Sequence, residues 1–287
     1  MRTRPTSDRP RAKGRADGHG AGRQLLALCG LLLASAGLAR ADDVPAEREL
    51  PPQKREATPN VPCYSAVACL ALSIEYREKD PYVETHLLTE GCKLGSAQAC
   101  NRLGFNYERG HGVHADPTRA FPLYEKSCDR GFALGCHNLG VLLEKGTGTA
   151  ADPARAAIFY QRACDGGEAR GCGNLGSLYE NGRGVAVDFE RAAELFRTAC
   201  EGDAPTRCSN LGLMYMSSRG VAEDQRRAAE LYTRACDADD AIGCGFLGFM
   251  YERGQGVEQN LERALELYAR SCGAYAWSCE QLERLGR

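Results

Sequence analysis

The stretch CGNLGSLYENGRGVAVDFERAAELFRTAC, residues 172–200, recurs along most of the chain with a period of 36 residues. A fixed period of this length is typical of stacked arrays of small supersecondary units. Each copy opens and closes with a cysteine. The opening residues are Cys100, Cys136, Cys172, Cys208 and Cys244, and the closing residues are Cys128, Cys164, Cys200, Cys236 and Cys272. We therefore expect a repeat protein.

The first half of each copy has the apolar spacing of a helix. Counted from the opening cysteine as position 0, positions 3, 4 and 7 carry Leu, Gly and Tyr or Leu, and these form one helical stripe. Since glycine lowers helix propensity, we expect it to let another helix approach closely. A G-x-G turn follows, in which Ser218 replaces the first glycine of the fourth copy. No strand pattern precedes these glycines and no G-K-[ST] follows, so they predict a turn rather than a phosphate site.

The second half of each copy predicts another short helix. It begins after a residue type that favours helix N-caps, namely Asp116, Asp152, Asp188, Asp224 or Asn260. Pro117 and Pro153 stand at the first helical position, which proline tolerates well. An Arg-Ala pair and an aromatic residue follow before the closing cysteine. Each copy is thus predicted to be a helical hairpin that cannot bury its apolar face alone.

The N-terminal region is typical of a secretory signal peptide. A basic segment is followed by the apolar or small residues LLALCGLLLASAGL (25–38) and by an A-x-A cleavage pattern ending at Ala41. The apolar run is too short to span a bilayer comfortably. Two alternatives remain, a lipoprotein acceptor at Cys29 and a mitochondrial leader, which Asp8 and Asp17 disfavour. We therefore predict cleavage after Ala41 and a secreted or periplasmic location.

The expected domain organisation follows from this leader and from the repeat. Residues 1–41 form the signal peptide and residues 42–61 a Pro-rich charged linker. Residues 62–287 form the repeat solenoid, with a degenerate hairpin at 63–92, five repeats from 93 to 272 and a capping helix at 273–287. No further candidate for a membrane-spanning segment follows the signal peptide.

The charge balance argues against nucleic acid as a partner. The 287-residue chain has a net charge of −2, and residues 1–41 carry eight basic and two acidic residues, which leaves −8 for the rest. An acidic chain has no electrostatic reason to bind nucleic acid or an anionic membrane surface.

The cysteines form a regular series. Removal of residues 1–41 takes Cys29 away and leaves fourteen of the fifteen cysteines. Even, evenly spaced cysteines in an exported chain predict disulfides, and the periodicity favours pairing between neighbours. There is no C-x-x-C and the histidines do not follow the repeat, so neither metal nor cofactor is expected. The predicted pairs are Cys63/Cys69, Cys92/Cys100, Cys128/Cys136, Cys164/Cys172, Cys200/Cys208, Cys236/Cys244 and Cys272/Cys279.

The pattern C-x7-C-x2-LG-x2-Y-x2-G-x-GV-x2-D-x2-RA-x3-Y-x2-[AS]-C resembles Sel-one-like repeats, which are relatives of tetratricopeptide repeats. More narrowly, it is similar to the secreted bacterial cysteine-rich members, the Hcp family. The resemblance extends from Cys63 to the C terminus. It implies an all-α, right-handed α/α superhelical solenoid of disulfide-stapled hairpins. It also implies protein or peptide binding, while some cysteine-rich members are described as penicillin-binding proteins or weak β-lactamases that recognise cell-wall fragments.

The sequence offers more for binding than for catalysis. The chain contains no S-x-x-K with S-D-N and K-T-G, no G-x-S-x-G and no H-E-x-x-H. Position 2 of the first helix, in contrast, forms a row that a stacked array would align on one face, and its amides could bind an extended peptide or a neighbouring helix. The row consists of Asn138, Asn174 and Asn210, flanked by Arg102 and Phe246. We predict a non-catalytic scaffold that binds a protein, peptide or cell-wall fragment through its concave face, with a penicillin-binding β-lactamase as the alternative.

Overall fold

The computed structural model describes residues 61–202 and 204–286, which form α-helices and no β-strand. The helices are α1 (Ala66–Tyr76), α2 (Pro81–Lys93), α3 (Ala97–Arg109), α4 (Pro117–Asp129), α5 (Ala133–Lys145), α6 (Pro153–Asp165), α7 (Ala169–Asn181), α8 (Phe189–Glu201), α9 (Cys208–Ser217), α10 (Gln225–Asp237), α11 (Ala241–Arg253), α12 (Leu261–Cys272) and α13 (Ala276–Arg284). The predicted signal peptide, and all of the predicted linker except residue 61, lie outside the described residues.

The helices pack in consecutive pairs. An N-terminal hairpin (α1–α2) is followed by repeats one to five (α3–α4, α5–α6, α7–α8, α9–α10 and α11–α12) and by α13. Each second helix also packs on the first helix of the next unit. The predicted all-α solenoid of helical hairpins is confirmed. None of the described helices is both long enough and apolar enough to cross a membrane.

Local signals set the ends of the helices as predicted. The side chain before each second helix of the five repeats accepts a hydrogen bond from a backbone N–H of the first turn. These capping residues are Asp116, Asp152, Asp188, Asp224 and Asn260. The first helices end at a left-handed residue, which is Gly in four repeats and Ser218, with φ of 52°, in the fourth.

The glycine at position 4 accommodates a ring from the second helix of its own repeat. A β-carbon at Gly140 would lie 2.7 Å from the ring of Tyr160 on α6. The expected close approach therefore involves a side chain rather than a second helix backbone. The corresponding rings in the five repeats are all fully buried: Tyr124, Tyr160, Phe196, Tyr232 and Tyr268.

The second glycine of each turn joins neighbouring units. Gly148 has φ of 71°, and a β-carbon there would lie 2.5 Å from the carbonyl carbon of Pro117, the first residue of α4 in the preceding repeat. Gly184 lies on Pro153 at the start of α6 in the same way. Glycine therefore serves two needs here, a left-handed backbone and direct contact with another chain segment.

Most buried tyrosines of the second helices have an acceptor at position 8 of the first helix. The hydroxyl of Tyr160 donates to Glu144 at 2.6 Å, and that of Tyr268 donates to Glu252 at 2.9 Å. In the fourth repeat Met216 stands at position 8, and the buried hydroxyl of Tyr232 has no hydrogen-bond partner. Burial raises the pKa of these phenols, so they stay neutral donors.

Seven disulfides match the predicted pairs. Six of them close the turn between a second helix and the helix that follows it, and Cys63–Cys69 joins the segment before α1 to α1. Their Cα–Cα distances run from 4.5 to 5.0 Å, within the range that a disulfide spans. Arginines near the ends of second helices add a link between units: Arg162 Nη2 donates to the carbonyl of Cys128 at 3.2 Å, and Arg270 Nη2 to that of Cys236 at 2.8 Å. The bonds are Cys63–Cys69, Cys92–Cys100, Cys128–Cys136, Cys164–Cys172, Cys200–Cys208, Cys236–Cys244 and Cys272–Cys279.

The first helices form the inner face of the stack. α3 contacts α5, and α5 contacts α7, although each pair belongs to different repeats. Within the described part of the chain, no two second helices are in comparable contact. Because the elements on the inside of a curved array approach one another more closely, the first helices line its concave side.

Candidate functional site

The inner face carries a groove of about 630 Å³ at its N-terminal end. Three consecutive first helices, α3, α5 and α7, supply most of its lining, and the turn after α1 closes one side. The lining includes Arg77, Glu84, Asn101, Arg102, Phe105, Arg109, His111, Asn138 and Arg170.

A buried carboxylate anchors the closed side of this groove. Glu84, on α2, is only 1% exposed. Its Oε1 accepts a hydrogen bond from Arg102, and its Oε2 lies 3.1 Å from His111 Nε2. The Nε of Arg77 lies 3.7 Å from Oε1. Burial and the charge of Arg77 lower the pKa of Arg102, while Glu84 opposes that shift. Glu84 thus holds one arginine at the base of the groove.

Amide and hydroxyl groups link the helices of the groove floor. Asn138 Nδ2, on α5, donates to Asn101 Oδ1, on α3, at 2.9 Å. Asn106 Nδ2 donates to Thr85 Oγ1 at 3.0 Å, and Thr85 donates to the carbonyl of His111 at 3.2 Å. The floor is therefore held in place before any ligand binds, which lowers the ordering cost of binding.

The five predicted binding residues do not form one site. Arg102 and Asn138 both line the groove, whereas the other three do not. Asn174 accepts a hydrogen bond from Arg207 at 2.8 Å. Asn210, half-buried, takes part in no side-chain hydrogen bond within residues 61–202 and 204–286. Phe246 belongs to an aromatic cluster near the C-terminal end of the stack.

That aromatic cluster surrounds the cap helix α13. The ring of Phe246 stacks on Tyr232, with centroids 5.3 Å apart, and on Trp277, at 5.8 Å. Trp277 also meets Tyr275 and Tyr268, at 5.7 and 5.8 Å. These contacts bury apolar surface between repeat five and α13. Phe246 accordingly packs as part of the C-terminal end of the solenoid.

Sequence reasoning did not find several groove residues. Glu84 and Arg77 belong to the degenerate N-terminal hairpin, where no repeat pattern marks a position. Phe105 and Arg170 occupy positions 5 and −2, which vary between copies. Arg109 stands at variable position 9. The variation at positions −2, 5 and 9 could have indicated the groove, because these positions lie on the same helical face as position 2.

Two kinds of chemistry can be compared with the described residues, a thiolate nucleophile and a metal site. Every cysteine among residues 61–202 and 204–286 is in a disulfide, and a disulfide sulfur has no thiolate to act as a nucleophile. Groups of three or more His, Cys, Asp or Glu side chains placed to hold a metal do not occur in this part of the chain.

Together, these features define an α/α solenoid of disulfide-linked hairpins with a preformed groove on its inner face. The model of the Sel1 repeat matches residues 97–132, 133–168, 169–203, 208–240 and 241–274. The chain therefore belongs to the Sel1-repeat family. This agrees with the resemblance to Sel-one-like repeats found in the sequence.

Several solved structures are similar to this chain. One is c5321, a protective antigen present in uropathogenic Escherichia coli strains and displaying an SLR fold, with 28% identity and a TM-score of 0.71 over 76% of this chain and 48% of that one. A Sel1 repeat protein from Oxalobacter formigenes has 27% identity and a TM-score of 0.70 over 75% of this chain and 86% of that one. Helicobacter pylori cysteine rich protein B has 29% identity and a TM-score of 0.38 over 46% of this chain and 96% of that one.

This chain thus spans about half the length of the E. coli protein. No curated protein matches it.

Proposed function

We propose that the protein is an exported, non-catalytic scaffold that binds a polypeptide along the inner face of its solenoid. The observation that carries this proposal is the groove across α3, α5 and α7, which has a fixed polar floor and an exposed apolar residue, Phe105. Sel1-repeat proteins are typically interaction scaffolds, and stacked repeats offer extended concave binding surfaces.

The disulfides support the location. Seven bridges in one small array are typical of proteins that fold in an oxidising compartment such as the periplasm or the cell exterior. The proposal therefore keeps the predicted export, with cleavage after Ala41. The β-lactamase alternative stays a hypothesis from resemblance, since no contact in the described residues favours it.

Within this proposal, Arg102 and Asn138 contact the ligand in the groove. Asn174 and Asn210 extend the same face toward the later repeats. The side chain of Phe105 is 49% exposed, so a bound segment can bury it and gain free energy without a rearrangement of the fold.

An array of random synthetic octapeptides, probed with the purified oxidised protein, tests the proposal. We expect a subset of peptides to be retained, and Phe105→Ala to weaken their binding. Ile158→Ala is the matched control, because Ile158 is an apolar residue that is 60% exposed on the second helix α6, away from the groove. Retention of no peptide by the wild type, or equal retention by the Phe105 variant, would overturn the proposal.

A further inference from the structure

We propose, on the basis of that function, that the occupant of the groove is an acidic polypeptide segment. The chain beyond residue 41 has a net charge of −8, yet the groove lining contains four arginines (Arg77, Arg102, Arg109 and Arg170) and one carboxylate, Glu84. A concentration of positive charge on an otherwise acidic protein attracts anionic ligands.

The single carboxylate of the lining does not neutralise this charge. Glu84 is buried against Arg102. The other three arginines keep more than half of their side chains exposed, between 53% and 67%. Arg77 lies 3.7 Å from Glu84, and Arg109 lies 4.0 Å from Glu108, so neither has a closely bonded carboxylate. Arg170 is paired with Glu168 at 2.7 Å.

Arg77 and Arg109 are therefore the two groove arginines with the longest carboxylate contacts, and their exposed side chains can turn toward a ligand. A guanidinium offers parallel N–H donors that match the two oxygens of a carboxylate. Arg109 also lies over the ring of Phe105, 5.7 Å from its centroid. This places a cationic and an apolar contact side by side, which suits a segment that mixes acidic and apolar residues.

The dimensions favour a polypeptide over a small anion. The groove crosses three consecutive first helices, and neighbouring helix axes lie about 8–10 Å apart. An extended chain advances about 3.4 Å per residue, so roughly five or six residues cross the two spacings between the three helices. The amide pair of Asn101 and Asn138 lies on its floor, where backbone groups of such a segment can bond.

The repeat alone does not explain the positive charge of the groove. Arg109 stands at position 9, where the other repeats carry Lys145, Asn181, Ser217 and Arg253, and of these five only Arg109 lines the groove. Arg170 stands at position −2, where repeat two has Leu134. Residues that build the hairpin recur in nearly every copy, whereas these arginines occur together only around the groove. The groove is therefore the part of the inner face where these arginines come together.

Fluorescence anisotropy with labelled octapeptides tests the inference. The probe is a Ser-Glu-Leu-Glu repeat, and the comparison peptide replaces each Glu by Gln. We expect the Glu peptide to bind at least about tenfold more tightly, and its binding to weaken as NaCl rises from about 50 to 300 mM, because salt screens exposed charges. Arg77→Gln combined with Arg109→Gln should remove most of this preference.

Arg253→Gln is the matched control. Arg253 also stands at position 9. It lies over the ring of Phe249 at 5.8 Å and 3.5 Å from Glu252, while Arg109 lies over Phe105 at 5.7 Å and 4.0 Å from Glu108. It lines neither the groove nor its edges. We expect this variant to bind the Glu peptide like the wild type.

Three results would overturn the inference. Equal affinity for the Glu and Gln peptides would show that charge does not select the ligand. An equal loss in the Arg253 variant would place the effect outside the groove. Displacement of the peptide by equimolar inorganic tripolyphosphate would indicate a site for small anions. All three are distinguishable from failure of the proposed function, in which the octapeptide array itself retains nothing.

Discussion

Arg207 donates a hydrogen bond from Nη2 to Oδ1 of Asn174, across the boundary between repeats three and four, at 2.8 Å. Its side chain lies over Gly173, where a β-carbon would be 2.8 Å from Arg207 Nε. Burial lowers the pKa of this arginine, and the nearby Tyr160 and Glu144 oppose the shift. Asn174 is therefore already bonded to the next repeat, as Asn138 is to the preceding one.

The fourth repeat departs from the others at this point. The position before the opening cysteine is Gly135, Gly171 or Gly243 in repeats two, three and five, and each is packed tightly against the preceding second helix. Arginine cannot occupy that space. The chain instead forms a short 3-10 turn at Pro205–Arg207, and α9 starts only at Cys208.

Asn174→Ala should destabilise the protein, while Asn210→Ala should be close to neutral. The first variant leaves a half-buried guanidinium without its partner, at a cost of about 1–2 kcal/mol. The second removes an amide that makes no side-chain hydrogen bond in the described residues. Urea midpoints followed by circular dichroism compare the two. Equal midpoints would mean that the contact with Arg207 does not contribute to stability.

Tyr160→Phe and Tyr232→Phe should act in opposite directions. Loss of the Tyr160 hydroxyl removes a hydrogen bond to Glu144 and should cost about 1 kcal/mol. The hydroxyl of Tyr232 is buried without a partner, so its removal should be neutral or should stabilise the protein by about 1 kcal/mol. Thermal melts of the two variants provide the comparison. A similar decrease in Tm for both would contradict the role assigned to Met216.

Gly148→Ala should be far more damaging than Gly167→Ala. Both glycines have positive φ, 71° and 84°, so alanine costs about 1–2 kcal/mol at either position from the backbone alone. A β-carbon at Gly167 meets nothing within 4 Å, whereas one at Gly148 meets Pro117 of the preceding repeat. The difference in free energy of unfolding between the two variants therefore measures the contact between repeats. We expect the Gly148 variant to be less stable by more than about 1 kcal/mol. A difference near zero would rule out close packing between Gly148 and Pro117.

The stability of the protein should fall as the pH drops from 6.5 toward 4, in part because of His137. This imidazole is 8% exposed, and its Nδ1 has no hydrogen-bond partner. Burial first, and then the charge of Arg170, lower the pKa of His137 from 6.5 to about 4. Between these values the unfolded chain binds a proton that the folded chain does not bind. Unfolding is favoured there, by up to about 3 kcal/mol at the acid end.

His137→Asn should reduce this acid sensitivity, since Asn101 occupies the equivalent position of repeat one. The measurement is the urea midpoint at pH 7.5 and pH 4.5 for both proteins. If the urea midpoint falls by the same amount between pH 7.5 and pH 4.5 in the wild type and in the variant, the acid sensitivity comes from other groups.

The repeat made the fold readable from the sequence. A glycine or cysteine that recurs every 36 residues signals a structural requirement, and the structure shows each one: a left-handed cap at Gly110, a ring above Gly140, a bridge at Cys172. Periodicity also resolved the disulfide pairing, because each cysteine has one partner at the same short separation. A residue that occurs in one copy only, such as Arg207, has no counterpart in other repeats from which its structural role could be predicted.

The groove was harder to predict, because several of its residues do not recur with the repeat. Position 2 pointed to Arg102 and Asn138, since it lies on the face that stacking aligns. Glu84 could not be predicted, because its contacts with Arg102 and His111 join residues 18 and 27 positions apart, outside the repeat pattern. The sequence left open whether Asn174 binds a ligand or a neighbouring helix, because Arg207, which bonds it, belongs to an irregular turn.

Each disulfide joins cysteines only six to eight residues apart. Among the described residues, the partner of each cysteine therefore lies in the same short segment, and each bridge can form as soon as that segment has folded. Closure of one bridge does not require the later repeats. A truncated chain that reaches an oxidising compartment can thus still form the bridges of the segments it contains.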